Sequence, residues 1–140
     1  MSRVLVTGAG GFVGANLVRA LLNRGDEVHA CVRGGGNLWR LEGITQNLHL
    51  HTVDMTDVVS LEVAVSESNP EIVYHLAHYG GNRGETDSSK IQSVIVEGTK
   101  ALYDACLRAG VAQIIHAGSS SEYGPQTDAM REDMAPMPDT

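Results

Sequence analysis

Thr7-Gly8-Ala9-Gly10-Gly11-Phe12-Val13-Gly14 follows the apolar run Val4-Leu5-Val6 and opens a segment of helical period through Val13, Leu17, Ala20 and Leu21. A glycine-rich turn between a strand and a helix can cradle a pyrophosphate. Unpaired N–H groups and the helix dipole favour the anion, and absent side chains let backbone and phosphate approach closely. Glycines also serve any tight turn, so the surrounding order carries the assignment. A second reactive stretch, Gly118-Ser119-Ser120-Ser121-Glu122-Tyr123-Gly124, follows the apolar run Ile114 to Ala117. Hydroxyls at the C-terminal end of such a strand border the ligand crevice, which favours function over a plain polar turn.

The end of the second apolar run, Val32-Arg33, discriminates between dinucleotides. An acidic residue there would bind the ribose hydroxyls of NAD, whereas Arg33 can pair bidentately with a 2′-phosphate. NADP is therefore the expected cofactor, with NAD as second choice. Arg40 would add a second charge, unless both arginines are ordinary surface residues. His49 and His51 share one face of a strand, but no carboxylate or cysteine cluster accompanies them in the sequence. They read as exposed or packed side chains, and no metal site is expected.

Five short apolar runs, Val4 to Val6, Val28 to Val32, Leu48 to Val53, Ile72 to Leu76 and Ile114 to Ala117, read as strands. Helical segments alternate with them: Gly11 to Asn23, stopped by Gly25; a short one near Leu38 to Leu41; Val58 to Glu67, ended before Asn69-Pro70; and a long one from Ile91 to Ala109, ended by Gly110. This alternation predicts an α/β domain over residues 1–124, a Rossmann-type parallel sheet in the order 3-2-1-4-5 with helices on both faces. Its ligand crevice would lie at the switch point between strands one and four. Residues 125–140, with Pro125, Pro136 and Pro138 and no periodicity, read as loop. Gly80-Gly81-Asn82-Arg83-Gly84 reads either as a mobile loop near a substrate or as a plain connection.

The 140 residues carry a formal net charge of -7, which argues against nucleic acid or an acidic membrane surface as partner. Cys31 and Cys106 lack metal-like spacing and read as reduced core residues. No apolar run approaches the roughly 20 residues of a spanning helix, and a cytoplasmic protein is expected.

Taken together, these motifs resemble the extended short-chain dehydrogenases/reductases, the NAD(P)-dependent epimerase/dehydratase group acting on nucleotide sugars. Thr7-Gly8-x-x-Gly11-x-x-Gly14 is similar to the family fingerprint, which makes Gly8, Gly11, Phe12, Val13 and Gly14 cofactor-binding positions. Asp54-Met55 matches the position whose Asp contacts the adenine amino group, although Asp54 could also cap the next helix. Tyr74-His75-Leu76-Ala77 is similar to the family's His-Leu-Ala segment, which implies that Leu76 and Ala77 line the nicotinamide side. His75 itself more simply fills a buried strand. Glu97-Gly98-Thr99 resembles the Val-x-Gly-Thr helix signature, and the Ser119 loop resembles the loop of the catalytic Ser or Thr, with Ser119 the best match and Ser120 the fallback. The form of that loop and Arg33 tilt the likeness towards the GDP-mannose 4,6-dehydratase group.

The resemblance also implies a Tyr-x-x-x-Lys pair, in which tyrosinate moves a proton and lysine lowers its pKa. The chain holds no such pair: Tyr74, Tyr79, Tyr103 and Tyr123 are followed four positions later by His78, Arg83, Leu107 and Thr127. Family spacing would put the tyrosine a few residues beyond Thr140, so the chain reads as an N-terminal fragment without turnover. Ile95 stands where the family often has Asn, and His78 where a small residue is common. A non-catalytic NAD(P)-binding or redox-sensing module is the alternative. Apolar surface near the fifth strand would leave room for a homodimer.

Overall fold

The computed structural model describes residues 1–79 and 87–138, so the Gly80 to Gly84 stretch lies outside the described residues. Five strands, β1 (Arg3–Thr7), β2 (Glu27–Val32), β3 (His49–Thr52), β4 (Ile72–His75) and β5 (Gln113–His116), form one sheet in the order β3-β2-β1-β4-β5. All four pairings are parallel, with Val4 opposite Val28 on one side and Ile72 on the other. The expected order and chain direction are both present.

β1 is central because Val4, Leu5 and Val6 are apolar without alternation and can be covered from both faces. All three are fully buried, each burial being worth roughly 1.5–3 kcal/mol. On one face, α1 (Phe12–Arg24) packs Ala15, Val18 and Leu21 against Val4, Val6, Val28 and Ala30. On the other, Leu61, Ala64 and Val65 of α2 (Val58–Ser68) join Leu102, Ala105 and Cys106 of a later helix over Leu5, Cys31 and Val73. Both cysteines are buried and unpaired, and burial raises their thiols to about 12 for Cys31 and about 11 for Cys106.

Helix ends follow their local chemistry. Gly25 and Gly110 adopt the left-handed conformation that closes α1 and the last helix. Asn69 does the same for α2 at φ 38°, and Pro70 bars continuation. The weak pattern near Leu38 forms a 3₁₀ turn, Trp39–Leu41.

The long fourth segment departs from the expected uniform helix. It is α3 (Ser88–Gln92), a π-turn over Ser93–Glu97, and α4 (Gly98–Ala109). At Gly98 the backbone sits against the Met55 carbonyl so closely that a Cβ would overlap the oxygen. The wide turn shifts the helical register just before that contact, a feature apolar periodicity does not encode.

Candidate functional site

The C-terminal ends of β1, β2, β3 and β4 surround a crevice of about 590 Å³, within the range of small-molecule sites. Gly8, Gly10 and Gly11 line it from the turn after β1, Arg33, Gly36 and Asn37 from the loop after β2, Asp54, Met55 and Thr56 from beyond β3, and Leu76 and Ala77 from beyond β4. It therefore lies at the switch point, where neighbouring strands β1 and β4 feed helices on opposite faces.

The glycine turn is shaped by close backbone approaches. Gly8 has φ +70°, and a Cβ on it would lie 2.7 Å from the Leu76 carbonyl carbon. A Cβ on Gly14 would overlap the Gly8 carbonyl oxygen. The Gly11 N–H donates to that same oxygen at 3.0 Å, folding the turn onto itself. Gly11 then caps α1 with no side-chain bond and no acidic residue in the first turn. The positive end of the helix is left for an external anion. Phe12 and Val13 sit in that first turn with exposed side chains and, like Gly14, are not among the residues that line the crevice.

Thr7 locks the opposite wall. Its Oγ1 accepts from the N–H groups of both Leu76 and Ala77 at 3.2 Å, and lies 2.7 Å from His75 Nδ1. With both lone pairs engaged, the hydroxyl donates its proton to Nδ1, which puts the His75 proton on Nε2. Nε2 then donates to Thr99 Oγ1 at 2.9 Å. Burial, followed by the nearby His116, pulls the His75 imidazole down to about 4, consistent with a neutral ring. His75 thus fills a buried strand, as expected, and also positions Leu76 and Ala77.

Asp54 is exposed at the crevice, and Oδ1 accepts from Thr56 N at 2.9 Å and Thr56 Oγ1 at 2.7 Å. Those bonds hold its carboxyl below the usual carboxylate range. The cap of α2 is Asp57, which accepts from Val59 N at 3.1 Å, so Asp54 is not spent on that helix.

Three other sequence readings fare differently. Arg33 lines the crevice, whereas the Arg40 guanidinium stacks on Trp39 at 4.4 Å and is not among the lining residues. Lys90, unremarked in the sequence, does line it, its ammonium 4.7 Å from the Tyr79 ring centre. An isolated lysine on a polar helix turn gives no sequence signal. Ser119 and Ser120 lie in an exposed turn past β5 rather than in the crevice lining, and Ser119 Oγ accepts from Ser121 N at 3.2 Å.

The reading of His49 and His51 as lacking a carboxylate needs correction. Parallel pairing puts His29 opposite His49 and brings Glu27, His29 and His49 together, with Glu67 of α2 beside His51. Strand register creates this cluster; sequence separation hides it.

A model of the NAD dependent epimerase/dehydratase family matches residues 4–140. The chain belongs to this family. Among its relatives, Sterol demethylase protein B of Methylococcus capsulatus is 37% identical over 120 residues, covering 86% of this chain and 35% of that protein. UDP-glucose 4-epimerase of Mycolicibacterium smegmatis is 34% identical over 143 residues, covering 94% and 44%. The structure of Thermus thermophilus UDP-glucose 4-epimerase in complex with NAD superposes with a TM-score of 0.84 at 30% identity, covering 97% of this chain and 44% of that one. The chain thus spans less than half the length of these relatives. No helix among the described residues is long and apolar enough to cross a membrane.

Proposed function

We propose that the crevice binds NADP, with NAD as the weaker alternative, and that the protein is an epimerase/dehydratase acting on a nucleotide-linked sugar by transient oxidation of a ring carbon. The observation that carries this reading is the uncapped start of α1 beneath a glycine turn whose Gly8 and Gly14 leave no room for a side chain. In this reading Gly8, Gly11, Gly14 and the backbone of Phe12 and Val13 hold the pyrophosphate. Arg33 pairs with the 2′-phosphate, Asp54 and Met55 hold the adenine, and Leu76 and Ala77 border the nicotinamide. When bound, the nicotinamide supplies hydride exchange. Ser119, or failing it Ser120, polarises the substrate hydroxyl. Self-association through the β5 edge, where Ile115 is 40% exposed, belongs to the same proposal.

Fluorescence titration with NADPH and NADH tests the cofactor assignment. NADPH should bind about tenfold more tightly, a difference of about 1.4 kcal/mol, and Arg33→Ser should erase the difference. Preference for NADH would overturn the role of Arg33. Incubation of this chain with NADP and nucleotide sugars should give no product, because the proton-transferring pair is not in it. Turnover would reject that assignment.

A further inference from the structure

The β2–β3 pair carries three stacked imidazoles. His29 lies between His49 and His51, with ring centres 4.5 Å and 5.2 Å away and interplanar angles of 18° and 26°. Glu27 Oε1 lies 3.3 Å from His29 Nε2 and 3.7 Å from His49 Nε2. Two ligand atoms bound tetrahedrally to zinc at its usual bond lengths are about 3.3 Å apart. One ligand atom from each of Glu27, His29 and His49 lies within 4.8 Å of the others. The His49 side chain is 60% exposed, which leaves it free to close the remaining gap.

One hydrogen bond and one ion-pair contact behind this trio are arranged as an outer support. His29 Nδ1 lies 2.9 Å from His51 Nε2, and His51 Nδ1 lies 3.5 Å from Glu67 Oε2. The series Glu27, His29, His51, Glu67 has three junctions that each call for a positive centre between two acceptors. Two neutral imidazoles supply two protons. A third proton or a cation shared by His29 Nε2 and Glu27 completes the count, and the convergence of His49 on the same carboxylate oxygen favours the cation. It takes the Nε2 lone pair, His29 Nδ1–H then donates to His51 Nε2, and His51 Nδ1–H donates to Glu67. Metal-bound histidines are commonly oriented by such a partner on the other ring nitrogen.

We propose that Glu27, His29 and His49 form a binding site for a divalent transition-metal ion of the zinc class, with His51 and Glu67 as its positioning residues. Two imidazoles and one carboxylate favour zinc over magnesium or calcium, which prefer all-oxygen shells. The site joins β2 to the sheet's edge strand β3 and, through Glu67, to α2. It is thus a clamp separate from the dinucleotide crevice, whose lining includes none of these five residues.

Calorimetric titration of the metal-free, untagged chain with zinc chloride tests the proposal, alongside the double variant Glu27→Gln, His49→Ala and the single variant His51→Ala. Glu27 and His49 are not buried, and circular dichroism checks that both variants keep their helix content. The expected result is one equivalent of zinc, bound at least tenfold more weakly by the double variant. His51→Ala should retain the stoichiometry but lose about 10- to 100-fold in affinity, as an orienting partner does. Cobalt should give the absorption of a low-coordinate nitrogen and oxygen site in the unmutated chain and lose it in the double variant. Equal zinc affinity in the unmutated chain and the double variant, or no binding by either, would overturn the site.

Discussion

At the β1–β4 seam, Thr7, His75 and Thr99 form one hydrogen-bonded series behind the crevice. One strand further along, Ser119 bonds to its own turn, Ser120 is exposed, and the tail returns only far enough for Met137 N to donate to Glu122 O at 2.8 Å. The difference lies in what the chain can bury. β4 is covered by β1 and by helices on both faces, so polar groups at its end must find internal partners. β5 is an edge strand whose final residues are exposed, so the turn beyond it is not held by the core. The β1–β4 wall of the crevice is therefore preorganised by the chain itself, and the hydroxyl turn is not.

The largest break in that comparison is Gly14→Ala. A methyl group at this position overlaps the Gly8 carbonyl oxygen, and neither backbone can yield without opening the turn. A loss of about 4 kcal/mol in urea unfolding is expected, together with loss of measurable NADPH binding. Unchanged stability would mean that the turn relaxes and that its tightness is not what fixes the cradle.

Acid should act next most strongly, again at the seam. The unfolded imidazole of His75 takes a proton near 6.5, whereas in the fold burial lowers it to about 4. The unfolded state therefore binds more protons between these values, so the contribution is fully present above pH 6.5 and is lost as the pH falls towards 4. The loss from this group is about 3 kcal/mol. Denaturation midpoints measured between pH 7 and pH 4 should show it, with a flatter profile in His75→Asn. Burial also lowers His29 and His51, so part of the slope should survive that substitution.

How far the sequence disclosed this arrangement depended on whether a signal was local. The glycine turn and the glycine stops at Gly25 and Gly110 are local, because each glycine answers a backbone requirement at its own position. The strand order was legible because strand and helix alternate at lengths suited to right-handed crossovers. The tautomer of His75 was not, since it depends on Thr7 and Thr99, which approach it from two other elements. Glu27 and His29 escaped notice for the same reason: strand register, not spacing, brings them to His49. The π-turn before Gly98 answers a contact with Met55, 43 positions away along the chain (98 − 55).

A matched pair of substitutions gives the smallest but most direct test of the contrast. Thr7→Val keeps the side-chain shape and removes one oxygen, leaving the Ala77 N–H and His75 Nδ1 without that partner, while the Leu76 N–H keeps the Thr7 backbone carbonyl at 3.2 Å. A buried set deprived in this way should cost about 2 kcal/mol. It should also weaken NADPH binding, because the backbone of Leu76 and Ala77 borders the crevice. Ser119→Ala removes an oxygen of the same kind, but Ser121 N can turn to water at an exposed site, so the cost should stay below about 0.5 kcal/mol. NADPH affinity should also be unchanged. Equal losses from the two substitutions would show that the turn beyond β5 is as firmly held as the seam, and preorganisation could then no longer be assigned to one side of the crevice.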